Sequence, residues 1–187
     1  MEKEDSNIGK WNDWYEGISE EDKGSFRYGD TVTYKKAADF LNDCKTVEDW
    51  GCGVGGFLRF CEQAIGVDGS DTPFASKKFI DLCDYVFEVE GVHIRHVFEH
   101  NYNWKPILEN ALKSAKNKLV ITMFIPLGEE TKEIAHNKQH GVDVPDMLIS
   151  ESQFFEIVNK HNPKSIVREL FDTATGYGKE EMFFIEF

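Results

Sequence analysis

Thr46-Val47-Glu48-Asp49-Trp50-Gly51-Cys52-Gly53-Val54-Gly55-Gly56-Phe57 reads as a strand that runs into a glycine turn and then opens a helix. An acid, Asp49, stands two residues before the first glycine. The chain then returns as Ile65-Gly66-Val67-Asp68-Gly69-Ser70, a short apolar strand tipped by a second acid. A strand, a glycine turn, a helix and a carboxylate-tipped strand form a nucleotide-binding half-site.

Working outward, Thr33 to Asn42 predicts a helix, with Tyr34, Ala37, Ala38 and Leu41 at i, i+3, i+4, i+7 and Thr31 or Thr33 as its cap. After the glycine turn, Phe57, Leu58, Cys61 and Ala64 give the next helix an apolar face. Thr72-Pro73-Phe74 breaks the chain, and Lys77 to Leu82 predicts a short strand. Gly91 to Val97 predicts another strand, interrupted by His93, Arg95 and His96, which need partners or a role if buried. Asn103-Trp104-Lys105-Pro106 opens a helix that buries Ile107, Leu108, Ala111, Leu112 and Ala115. The apolar run Leu119 to Leu127 suits a central strand covered on both faces.

Residues 128–148 are polar and predict loop or short helix. Ser150-Glu151-Ser152-Gln153 is a capping box, with Ile149 and Phe154 as a hydrophobic staple. Ser165 to Leu170 and Met182 to Phe187 predict an antiparallel pair, with Gly176 and Gly178 between them. The class is α/β: a Rossmann-like mixed sheet, mostly parallel, with a C-terminal antiparallel hairpin and helices on both faces. We expect one domain over 1–187, with 1–30 as an N-terminal acidic and aromatic segment and 31–187 as the core. Nine acids and four bases fall in 1–30, and Trp11, Trp14 and Tyr15 share one helical face. That face packs on the domain, or forms a lid over the ligand site, or does both.

Lys and Arg total 21 against 34 Asp and Glu, a net charge of −13, which disfavours nucleic acid as a partner. No apolar run approaches a membrane span, and the polar, acidic N-terminus does not read as a signal peptide. Cys44, Cys52, Cys61 and Cys83 show no C-x-x-C spacing, so we expect reduced thiols in a cytoplasmic protein. His136 and His140 stand at i, i+4 with Asp143 and Asp146 beyond, but the pattern lacks the glutamate of H-E-x-x-H, and we assign no metal.

Gly51, Gly53 and Gly56 match G-x-G-x-x-G, and Asp68 follows Gly51 by 17 residues, so NAD is not excluded by spacing. Asp49 tilts the choice. It adds negative charge where a dinucleotide brings its pyrophosphate, and it suits a ligand that carries an ammonium group. S-adenosylmethionine has that group, a sulfonium, a ribose diol and no phosphate.

Asp49 to Gly55, Gly66 to Ser70 and His96-Val97-Phe98-Glu99-His100 together resemble the class I S-adenosylmethionine-dependent methyltransferases. The last stretch is similar to the H-V-L-E-H of the small-molecule (type 11/12-like) branch, with Phe98 for leucine. The resemblance covers residues 34–127 in order. It implies that Asp49 holds the methionine ammonium, that Gly51, Cys52, Gly53 and Gly69 bring backbone to the cofactor, and that Asp68 accepts from the ribose hydroxyls. Asp81 would meet the adenine amino group and Leu82 the ring. His96, at the strand end, is both a cofactor contact and the first candidate for a base, and His100 is the second. Arg95, Asn101 and Trp14 fall on the acceptor side. Arg95 to Asn101 with Trp104 also looks like methyltransferases of carbohydrate and cell-surface biosynthesis, so a sugar hydroxyl is the expected acceptor. The competing readings are an NAD-dependent oxidoreductase and a non-catalytic binding module.

Overall fold

The computed structural model describes residues 7–19, 31–138, 141–173 and 178–187. His140, Gly176 and much of the 1–30 segment lie outside the described residues. In chain order the elements are α1 (Asn12–Tyr15), α2 (Thr31–Phe40), β1 (Val47–Trp50), β2 (Ala64–Val67), β3 (Ala75–Lys77), β4 (Val89–Arg95), α3 (Trp104–Ser114), β5 (Ala115–Met123), β6 (Lys132–Asn137), β7 (Val144–Leu148), α4 (Glu151–Asn159), β8 (Ser165–Asp172) and β9 (Lys179–Glu186). Single 3-10 turns occupy Phe57–Arg59 and Phe98–His100.

Seven strands form one sheet in the order β3-β2-β1-β4-β5-β9-β8. All pairings are parallel up to β5, while β5–β9 and β9–β8 are antiparallel. The apolar run of β5 is buried on both faces, as a central strand requires. Leu119, Ile121 and Met123 pack in the core formed with α3 and α4, and Val120 packs in the core formed with α2. β9 alternates the same way: Phe183 and Ile185 face α4, and Met182 and Phe184 face α2. β1 lies between β2 and β4, so the chain reverses direction across the sheet there and opens a crevice beyond the strands' carboxyl ends.

Several expectations are corrected. The helix after the glycine turn is one 3-10 turn, and Ala64 belongs to β2. Gly51, Gly53 and Gly55 have φ of +70°, +52° and +68°, so helix cannot begin before Gly56, and β2 starts at Ala64. The strand predicted at Lys77–Leu82 is β3, Ala75–Lys77, and Phe79 with φ 56° turns the chain out of pairing. Residues 128–148 hold the antiparallel pair β6–β7 rather than loop. Its pattern is hidden because β6 is exposed, while Val144 and Met147 of β7 pack inward. The α2 cap is not Thr33, which lies inside the helix and donates to Glu180.

Helix α4 begins at the expected place, but without the reciprocal capping box. Ser150 Oγ contacts the Glu129 carbonyl and Ser152 Oγ, and Gln153 binds Thr131. The four cysteines are free thiols. Among the described residues no helix is long and apolar enough to cross a membrane.

Candidate active site

A cavity of about 250 Å³ lies beyond the carboxyl ends of β1, β2 and β4. All the site residues singled out from the sequence line it.

The glycine turn forms one wall. A Cβ on Gly51 would stand 2.4 Å from Val97 Cγ2, and its φ of +70° independently favours glycine. Asp68 shapes this turn. Its carboxylate accepts from Gly53 N at 2.9 Å and from Ser70 N at 2.8 Å. Burial raises its pKa to about 6, against the pull of those two bonds. Beside it, Cys52 and Gly69 line the cavity. Ile80, Asp81 and Leu82 line it further on, where Asp81 accepts from Cys83 N at 2.9 Å and Leu82 is buried.

Asp49 is buried on β1 and pairs with His93 of β4, Oδ1 to Nδ1 2.7 Å. The His93 ring stacks on Phe57 at 3.9 Å, and its buried Nε2 has no hydrogen-bond partner.

At the end of β4 a polar cluster forms the floor. Arg95 donates to Glu180 and, at 3.0 Å, to the Tyr34 hydroxyl. His96 Nε2 lies 2.9 Å from Glu180 Oε1, and Thr33 Oγ1 donates to Glu180 Oε2 at 2.8 Å. Burial works against the Glu180 charge, but the hydrogen bond from His96 and the Arg95 guanidinium hold its pKa below the usual carboxylate range. Burial, with Arg95 adjacent, pushes His96 down to about 3. The φ of 55° at His96 ends the strand and swings the chain toward His100.

The opposite wall is aromatic. The His100 ring lies 5.3 Å from Trp11 and 5.2 Å from Phe124. Asn101 donates to the Val97 carbonyl at 2.5 Å, so its side chain braces the turn. The N-terminal segment spans the cavity. Gly9 N reaches Gly69 O at 2.9 Å and Trp11 N reaches Ser70 Oγ at 3.1 Å, while Asn7 donates to the His100 carbonyl at 2.9 Å. Trp14 and Tyr15 line the cavity beneath it.

Sequence reasoning missed Glu180, and it named Asp146 only in a metal pattern that it set aside. A signal existed for the first: Glu180 and Glu181 stand directly before the apolar run Met182–Ile185. Asp146 sat in a stretch read as loop.

Asp49, Asp68, Asp81 and Asp146 line the cavity against a single guanidinium, that of Arg95, among the described residues. This balance fits a cationic ligand without phosphate.

Solved structures confirm the architecture. Magnesium protoporphyrin IX methyltransferase from Synechocystis PCC 6803, with S-adenosylhomocysteine bound, superposes with a TM-score of 0.58 at 16% identity, covering 87% of this chain and 83% of that one. The same enzyme with S-adenosylmethionine bound gives 0.55 at 14% identity over 92% and 93%. The 1,6-didemethyltoxoflavin-N1-methyltransferase from Burkholderia thailandensis, with its substrate and S-adenosylhomocysteine, gives 0.58 at 14% identity over 87% and 81%. The fold is that of the class I S-adenosylmethionine-dependent methyltransferases. No family model matches the sequence, and no curated protein matches it either.

Proposed function

We propose that the chain is an S-adenosylmethionine-dependent methyltransferase acting on a small molecule, with a sugar hydroxyl as the acceptor. The observation that carries this reading is the placement of Asp49, the glycine turn, Asp68 and Asp81 around one cavity at the switch point of this sheet. When bound, the cofactor supplies a methyl group on a sulfonium that is open to in-line attack.

The chain's part is binding and orientation. Asp49, held by His93, would receive the methionine ammonium. Gly51 and Gly53 admit the ligand against bare backbone, and the Asp68 carboxylate keeps lone pairs for the ribose hydroxyls. Asp81 would meet the adenine amino group beside Leu82. Residues 7–19 act as a lid: they bridge the Gly69–Ser70 turn and the His100 turn and shield the cavity from water. Arg95, Asn101 and Trp14 flank the acceptor side, but Arg95 is engaged by Glu180 and Tyr34. Free thiols fit a reducing compartment such as the cytoplasm.

An NAD-dependent oxidoreductase is less well supported, since the sheet closes with the β9–β8 hairpin where a second nucleotide half would continue. Calorimetric titration with S-adenosylhomocysteine and with NAD tests the choice. Binding of the former alone is expected, and binding of NAD alone would overturn it.

A further inference from the structure

Two histidines line the cavity beyond β4, and they are built for different work. His96 sits between Arg95 and Glu180, and its pKa of about 3 leaves it a poor proton acceptor. His100 stands on the aromatic wall. Its Nδ1 lies 3.1 Å from the Pro145 carbonyl oxygen and 3.2 Å from Asp146 Oδ1. A carbonyl oxygen only accepts, so Nδ1 carries the hydrogen, and the lone pair of the neutral ring is on Nε2. Asp146 and Pro145 both come from β7, so the β6–β7 hairpin sets this tautomer. The ring itself lies between Trp11 and Phe124.

Charge narrows the partner. Four carboxylates line the cavity, and Arg95, the only Lys or Arg among the described lining residues, is engaged by Glu180. An anionic acceptor finds Asp146 beside His100 and the guanidinium already engaged. Flat apolar faces suit Trp11 and Phe124.

We propose that His100, oriented by the Pro145 carbonyl with Asp146 beside it, is the base for an uncharged acceptor whose hydroxyl projects from a flat apolar face. This rests on the methyltransferase reading. As the acceptor oxygen bonds to the methyl carbon, the methyl–sulfur bond breaks, its electron pair stays on sulfur as a neutral thioether, and the hydroxyl proton passes to His100 Nε2. Asp146 Oδ1, 3.2 Å from Nδ1, faces the resulting imidazolium. The C–H face of a sugar and the ring of a phenol share this chemistry.

The test is nitrogen-15 NMR of histidine-labelled protein in the presence of S-adenosylhomocysteine, with the His100 signals assigned by their loss in His100→Gln. A protonated Nδ1 and an unprotonated Nε2 are expected in the wild type. Asp146→Ala should keep this tautomer, because the Pro145 carbonyl still accepts from Nδ1. Methyl β-D-glucopyranoside should shift Nε2 if the acceptor is a sugar, phenol if it is aromatic, and phenyl phosphate should shift nothing. A protonated Nε2 in the wild type or in Asp146→Ala, no shift with either uncharged probe, or a shift with phenyl phosphate would each overturn the proposal. The wild-type arms do not depend on the Asp146 variant folding. Calorimetry on the same sample separates the two readings: absent S-adenosylhomocysteine binding sinks the methyltransferase reading, while the tautomer is read independently of it.

Discussion

Asp49 and His93 are register partners on adjacent parallel strands, and their side chains meet at 2.7 Å, both buried. The acid that faces the cavity is therefore already oriented before any ligand arrives. Removing His93 leaves a buried carboxylate without its partner. His93→Phe keeps a ring against Phe57, so the loss isolates the pair. We expect unfolding in urea to show a stability loss of about 3–5 kcal/mol, and an unchanged midpoint would mean that the pair contributes nothing.

Asp68 is expected to matter for ligand and pH alike. Asp68→Ala should weaken S-adenosylhomocysteine binding at least about tenfold, the equivalent of about 1.4 kcal/mol. In the wild type the charged carboxylate is the better acceptor for ribose hydroxyls. Affinity should thus be full above the pKa of about 6 and fall as pH drops through it. Flat affinity between pH 5 and 8, read by calorimetry, would remove Asp68 from the site.

Glu99 is buried in the turn before His100 and accepts from Phe124 N at 2.5 Å. Burial raises its pKa from 4.5 to about 7. The folded state therefore holds this proton more tightly than the unfolded chain. Its contribution favours folding most below about pH 4.5 and is lost as pH rises through about 7. Glu99→Gln keeps the acceptor oxygen and removes the titration. Relative to wild type it should gain stability between pH 5 and 8, on the order of 3 kcal/mol. Parallel pH profiles in denaturant titrations would refute this.

Gly51→Ala introduces both a clash with Val97 and a positive φ for a residue with a side chain. A stability loss of at least about 1–2 kcal/mol is expected from the backbone alone. Val97→Ala in the same chain should relieve the clash but not the strain. Full recovery of the thermal midpoint in the double variant would show that contact, not conformation, decides the residue.

His136 is clamped by Asp143 and Glu133, at 2.5 Å and 2.6 Å, and these bonds raise its pKa above the ordinary value. The clamp is complete below about pH 6.5 and is lost as pH rises through the raised folded value. Amide exchange in β6 and β7 should accelerate over that rise, and His136→Ala should exchange fast at every pH. A hairpin indifferent to both changes would leave the clamp without a structural role.

The local signals were legible because they are short-range. Continuous apolar runs mark β5 and β9, glycines mark the turn after β1, and acids stand at the ends of β1 and β2. These suffice for the sheet, its parallel half, its terminal hairpin and one wall of the cavity. Three things needed the tertiary structure. Glu180 reaches Arg95 and His96 only because β9 lies antiparallel beside β5, which places residues 85 apart in sequence in one cluster. The β6–β7 hairpin has an exposed, polar β6 without an alternating pattern, and its place against the His100 turn, not its composition, brings Asp146 to the cavity. The proposed choice of His100 over His96 also rests on packing. Nothing local distinguishes His96 from His100, but burial beside Arg95 removes the basicity of one, and a carbonyl at Nδ1 leaves the lone pair of the other on Nε2. Sequence determines which chemical groups are carried to the ends of the strands, and long-range packing decides which of them are left with a proton to give or a lone pair to receive one.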